Sequence, residues 1–194
     1  MRFRLLEEVD SNNKELSPEQ SEFFKNSLIR DDNGNLLVCY HGSPVKGIDE
    51  FNQVINWFTP MIEYATKMSL TGNKYTVYLN CNKIFECGNT DGYVFSVKPE
   101  GRDTKFSMAF TKILSNLNID DTYFRNKFKE ELTNHAIKIF SLVRTGKFGL
   151  LVKRCGYDCI HAIEEGYDSF GVLDANKIKG VNNLNPTNNK NINK

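Results

Sequence analysis

Leu36-Leu37-Val38-Cys39-Tyr40-His41-Gly42-Ser43-Pro44 is an apolar run that ends on a histidine, a glycine and a proline. Five consecutive apolar residues between turn signals read as a buried strand. Just upstream, Asp31-Asp32-Asn33-Gly34-Asn35 is a tight turn, because Asn-Gly accepts positive φ at low cost. Ile29-Arg30 and the run from Leu36 to Tyr40 therefore pair as a hairpin, and His41-Gly42 closes the second strand. Before the hairpin, Ser17-Pro18-Glu19-Gln20 opens a helix. Ser17 caps it, Pro18 suits the first helical position and Gln20 completes a capping box. That helix runs to about Ser27 and buries Phe23 and Phe24.

Downstream, residues 55–59 form a strand carrying the single tryptophan, Trp57. Residues 60–70 read as a helix with Met61, Tyr64, Ala65 and Met68 on one face. Strands follow at 75–79 and 83–87. Helices are expected at 104–117 and 121–144, the longer with Phe124, Phe128, Leu132, Ala136 and Ile139 on its apolar side. A helical turn at 147–153 precedes two last strands, 157–162 and 170–173. Few of these strands are separated by a single helix, which disfavours a doubly wound parallel sheet. An α+β domain with a mostly antiparallel, split sheet is the expected class.

The chain has 194 residues, 25 Lys and Arg against 24 Asp and Glu, and a net charge of +1. This length fits one domain, here residues 1–181. The remainder, 182–194, has seven asparagines in thirteen residues and is expected to be a disordered tail, because so little apolar surface cannot offset the entropy of ordering. Near-zero charge argues against nucleic acid as a partner, which calls for a basic face. No apolar run approaches the ~20 residues of a membrane helix. After Met1-Arg2-Phe3-Arg4 there is no apolar stretch of the secretory kind, so the cytoplasm is the expected compartment. Five cysteines, an odd number, read as reduced thiols. Cys155, Cys159 and His161 would need a distant fourth ligand to hold zinc, and Cys beside a strand is more often a small buried hydrophobe, so no metal is expected.

The chemistry-bearing residues gather at the strand end. Glycine at 42 lets a flat ligand approach the backbone, and His41 offers a donor or acceptor to a hydroxyl. An aromatic side chain on the following helix, Tyr64, could stack on a ring. By contrast, His135 and His161 read as packing or surface residues, Glu164-Glu165 as a solvated turn, and Lys177 and Lys179 as surface charge.

The blocks 16–27 and 32–44, with Phe51, Trp57-Phe58-Thr59, Val77-Tyr78-Leu79-Asn80, Gly156-Tyr157-Asp158-Cys159-Ile160, Val172-Leu173-Asp174 and Lys177-Ile178-Lys179, resemble the phage and mobile-element ADP-ribosyltransferase domains found in polyvalent proteins. These blocks lie in order over most of residues 16–180, and residues of about 90–145 look like a variable helical insert. The resemblance is to the diphtheria-toxin and poly-ADP-ribose-polymerase side of the superfamily, with its His-Tyr-Glu motif. It implies a split antiparallel β-core with an N-terminal helix that clasps NAD, the substrate, and transfers ADP-ribose to a macromolecule, a host protein being the expected target. On that resemblance His41 holds a ribose hydroxyl, Gly42 fixes the nicotinamide carboxamide through its backbone, and Ser43 is a further contact. Trp57 and Phe58 wall the nicotinamide pocket.

Two positions depart from the motif. Where the family's second tyrosine is expected this chain has Met68, with Tyr64 one turn earlier. Where the family has its catalytic glutamate this chain has Ser169, with Asp168 adjacent. Asp168 is therefore the expected substitute carboxylate, if a bulge turns it inward. The alternative is a catalytically degenerate member that binds NAD, ADP-ribose or a protein without chemistry; an unrelated α+β interaction module is a third reading.

Overall fold

The computed structural model describes residues 8–70, 72–96, 105–133 and 136–194. The N-terminal residues 1–7, His135 and the start of the 104–117 helix lie outside them. Among the described residues the chain forms six α-helices and two sheets, one of three strands and one of four, so the α+β class holds. No helix among them is long and apolar enough to cross a membrane.

Helix α1, Pro18–Phe24, begins with the expected box: the Ser17 side chain accepts from Gln20 N, and the Gln20 side chain accepts from Ser17 N. The Asp31–Asn35 turn closes on itself, with Gly34 at φ 83°, and hands the chain to Leu36, which bridges back to Arg30. Strand β1 is Cys39–Ser43, later than the 36–40 run suggests. Its pairing with β3, Asn73–Leu79, runs from Cys39 opposite Val77 to Ser43 opposite Asn73. His41 is thus the middle of a strand instead of its end. Strand β7, Ile178–Gly180, completes the first sheet in the order β1-β3-β7.

The second sheet is ordered β2-β6-β5-β4, from β2, Asn56–Phe58, β6, Tyr167–Val172, β5, Cys159–Glu164, and β4, Ile84–Asn89. Only β4 and β5 run parallel. Alternation along the strands divides the core. Phe58, Cys159, Phe170 and Val172 point to the first sheet and meet Cys39, Val77, Leu79 and Ile178. Trp57, Phe85, Ile160 and Ala162 point the other way, into a helical layer built on Phe110, Phe124, Phe148 and Val152. On the outer side of the first sheet, Phe24 packs with Leu36, Val38 and Tyr78.

The long helix expected at 121–144 is broken. Helix α4, Asp121–Lys127, follows α3, Met108–Asn116, and ends where Phe128 leaves helical geometry at φ −109°, ψ 21°. A short 3-10 turn, Glu131–Thr133, follows, and helix α5, Ile139–Val143, starts afresh. The backbone supplies the reason. Val94 N donates to Ile137 O and Ile139 N donates to Gly92 O, so this stretch is extended against residues 92–94. Tertiary pairing here overrides an apolar periodicity that fits a helix. Helix α6, Gly146–Arg154, then leads into β5.

The Asn-rich tail is ordered, contrary to the expectation from its composition. Ile192 is buried in the core between the sheets, and Gly180 N donates to Ile192 O. Lys179, read from sequence as surface charge, is fully buried, and its Nζ donates to the carbonyls of Asn189, Asn191 and Lys194. Lys177 likewise pairs with Asp158 at 2.9 Å. A buried ammonium without acceptors is costly, so strand β7 requires the tail that wraps it. A chain ending at Val181 should therefore melt at a lower temperature than the full chain. Loss of the Ile192 burial alone costs about 1.5–3 kcal/mol. An unchanged melting temperature in calorimetry would contradict this packing.

On the face turned to the first sheet, His161 stacks on Phe170, with ring centroids 4.9 Å apart. Its Nδ1 lies 2.6 Å from Glu86 and its Nε2 2.8 Å from Asp168, which ties β4, β5 and β6 together. Burial opposes charge on the ring, but the two carboxylates outweigh it and raise the pKa above the usual value. A raised histidine pKa adds stability that is complete below about pH 6.5 and is lost as pH rises through the folded-state value. The stability gap between wild type and His161→Gln should be larger at pH 6 than at pH 9 in urea titrations; a gap independent of pH would rule out a charged His161.

Candidate functional site

The two sheets meet where β1 passes β2. Tyr40 N donates to Thr59 O at 2.8 Å, and Thr59 N returns to Tyr40 O at 3.0 Å. Helix α2, Ile62–Met68, then folds back across β1. Its approach explains Gly42: a Cβ there would lie 1.9 Å from Ala65 O. The missing side chain makes room for a helix, not for a ligand, and what Gly42 presents is backbone.

Between β1, β2, α2 and the end of α5 lies a cleft of about 160 Å³. It brings together His41, Gly42, Trp57, Phe58, Tyr64, Met68 and Ser169 among the residues expected from sequence. Two others are not there. Ser43 is buried at the end of β1, where its hydroxyl accepts from Val45 N. Asp168 faces away: β6 shows no bulge against β5, Ala162 pairs with Ser169 and Ile163 with Asp168, so neighbours point to opposite faces. Asp168 is held on that far face by His161.

His41 Nδ1 lies 2.8 Å from Trp57 O. A carbonyl can only accept, so Nδ1 carries the hydrogen and Nε2 keeps a lone pair. Burial lowers the pKa of this ring, against the opposing pull of that hydrogen bond, and favours the neutral form. His41 is thus a fixed hydrogen-bond acceptor, with Phe51 and Phe58 packed on it at 4.9 and 5.4 Å. Trp57 leans on Phe140 of α5 at 5.4 Å. Its Nε1 is, among the described residues, the one buried side-chain nitrogen or oxygen without a partner. Ser169 is also buried, on the cleft wall.

Glu164, Phe140 and Arg144 are among the cleft residues that were missed or misread in sequence. Glu164 ends β5 with its side chain in the cleft, where its Oε2 accepts from the Tyr64 hydroxyl at 2.5 Å. Only Glu165 sits in the turn, at φ 51°, paired with Lys67. Burial raises the Glu164 pKa, while the Tyr64 hydrogen bond and the charge of Arg144 pull it down. Burial, then the bond to Glu164, raises the Tyr64 pKa, so Tyr64 remains a phenol and the donor. Its ring stacks on Tyr167, centroids 4.9 Å apart and planes 19° apart. Phe140 and Arg144 come from the helical insert, whose sequence carries no motif that would have marked them. Among the described residues, no group of three or more His, Cys, Asp or Glu side chains is placed to share a metal ion. Cys155 is exposed, Cys159 is buried between the sheets, and His161 is engaged by carboxylates.

The cleft is therefore lined by two side chains that can accept a hydrogen bond, His41 and Glu164, and by aromatic rings. That set suits a ligand with hydroxyls and an aromatic ring. No protein-family model matches the chain, and no curated protein or solved structure matches it.

Proposed function

We propose that the chain is an NAD-dependent mono-ADP-ribosyltransferase, an ADP-ribosyltransferase-like split β-core of the kind found in phage and mobile-element polyvalent proteins, acting on a host protein in the host cytoplasm. The observation that carries this reading is the convergence of His41, Gly42, Trp57, Phe58, Tyr64, Met68 and Ser169, nominated from four separate parts of the sequence, on one cleft. NAD suits these groups as a substrate. A ribose hydroxyl donates to His41 Nε2, and the nicotinamide ring enters the cleft that Trp57, Phe58 and Met68 line. The volume of about 160 Å³ suits that single ring and leaves the adenylate to lie outside the cleft.

The reaction asks the site for little covalent chemistry. Breaking the bond between ribose and nicotinamide builds positive charge on the sugar, and preorganised negative charge beside it is the largest lever available. His41 orients the ribose, and the aromatic walls exclude water from the reacting face. Tyr64 is already stacked on Tyr167 and bonded to Glu164, so its part in the site is to hold those groups as well as to line the cleft.

One observation favours a second reading. The position nearest the family's glutamate faces the cleft as Ser169, a hydroxyl without charge. A protein that binds NAD or ADP-ribose, or a protein partner, without cleaving anything would have such a residue there. Incubation with adenylate-labelled NAD and a bacterial lysate distinguishes these. Label on protein is the expected result. Thermal stabilisation by NAD without label would favour the binder, and neither label nor stabilisation would contradict both readings.

A further inference from the structure

Glu164 is the one carboxylate among the residues lining the cleft. It stands opposite Tyr167 in the β5–β6 ladder, and Ala162 stands opposite Ser169. Glu164 and Ser169 are therefore diagonal neighbours on one face of the sheet, a spacing of roughly 7–8 Å between backbones that a long side chain spans. A glutamate at the end of β5 can deliver its carboxylate to the space in front of Ser169. Asp168, closer in sequence, cannot, because it points through the sheet to His161.

The carboxylate is also held. Tyr64 donates to Oε2, and the Tyr64 ring is fixed against Tyr167 of the neighbouring strand. This leaves the other oxygen, Oε1, for a ligand. Arg144, at the end of α5, lines the same cleft and its charge favours the ionised carboxylate against burial. Its guanidinium lies over Phe140, 5.3 Å from the ring centroid.

We propose that Glu164 is the catalytic carboxylate of this cleft, reaching it from the end of β5 in place of the β6 position held by Ser169, with Tyr64 as its positioning residue. This rests on reading the cleft as a site of ADP-ribosyl transfer. In the step, the bond between C1′ of the ribose and the nicotinamide nitrogen breaks, and its electron pair leaves with neutral nicotinamide. The Glu164 carboxylate accepts the hydrogen bond of the neighbouring ribose hydroxyl and offsets the charge that develops on C1′. An oxygen or nitrogen nucleophile of the acceptor, or water, forms the new bond to C1′ and gives up its proton to solvent. Nothing is oxidised or reduced.

The test is NAD binding by calorimetry together with nicotinamide release by the full chain. Glu164→Gln keeps the shape and the bond from Tyr64 but removes the charge. It should lower the release rate on the order of 10²–10³-fold, while Glu164→Asp should retain more activity than Glu164→Gln. Glu165→Gln should release nicotinamide like wild type, since Glu165 lies in the exposed turn. Tyr64→Phe removes a bond that holds the Glu164 pKa down, so the acid limb of its rate profile should move to higher pH; a merely structural loss would lower the rate equally at every pH. NAD binding with a release rate indifferent to Glu164→Gln, or lost only in Asp168→Asn, overturns the Glu164 proposal and leaves the reading of the cleft standing. Binding with no release by wild type overturns the proposal and leaves the binder. Absence of NAD binding by wild type overturns the reading itself, and the proposal with it.

Discussion

The seam between the two sheets is made by a very short stretch of chain. Tyr40 and Thr59 exchange two backbone hydrogen bonds, and one residue further along β1 the His41 ring bonds to Trp57 O. These contacts hold β1 of the first sheet against β2 of the second, and everything at the cleft is placed relative to them. They also set the chemistry of His41. A ring committed through Nδ1 to a carbonyl cannot rotate freely or switch tautomer, so the bond that joins the sheets is the same one that turns Nε2 into an acceptor. A buried polar group of this kind costs stability when unpaired, which ties the geometry of the cleft to the stability of the fold.

Around that seam the other elements act as supports. Helix α2 closes over β1 at the one place where a glycine permits contact between backbones, and brings Tyr64 and Met68 to the cleft as it does so. Strand β6 crosses behind, with Gly171 under the Trp57 ring and Ser169 one face-step away. The C-terminal residues reach the same core from the other side: Ile192 packs in the cluster that holds Phe51, and Phe51 packs on His41. The Lys179 ammonium inside the wrap of the tail makes that last segment part of the fold.

The parts of this structure that local rules govern were legible in the sequence. Capping at Ser17, the turn around Gly34 and the strand through Tyr75 to Leu79 depend on neighbours in the chain, and they stand where the residues suggested, whereas β6 starts three residues before the expected Phe170. What was not legible depended on distant partners. The helical periodicity from Phe124 to Ile139 was overruled by backbone pairing with residues 92–94, and the Asn-rich tail found order through main-chain carbonyls that composition does not reveal. At the cleft the same division holds. His41 and Gly42 were nominated from the apolar run they close and Trp57 from the family resemblance, whereas Glu164 looked like part of a polar turn until Tyr64, one hundred residues away, was seen to hold it. Asp168 was a reasonable nominee by proximity in sequence, and strand alternation alone removed it.

A motif residue lost on one strand can be replaced by a side chain of different length from the next strand, provided both face the same space. Under the proposed ADP-ribosyl transfer the cleft has the ingredients of that exchange: Ser169 where charge is wanted, and the tethered carboxylate of Glu164 at the diagonal position of the ladder. All of this rests on the cleft being a ligand site whose first contact is the His41 lone pair. The most direct test is nitrogen NMR of the imidazole rings during a titration with NAD, with the His41 signals assigned by His41→Gln. The account predicts that the Nε2 resonance of His41 shifts to saturation while Nδ1 stays protonated, and that the other two histidines are unmoved. Saturating NAD with the His41 signals unchanged would contradict it.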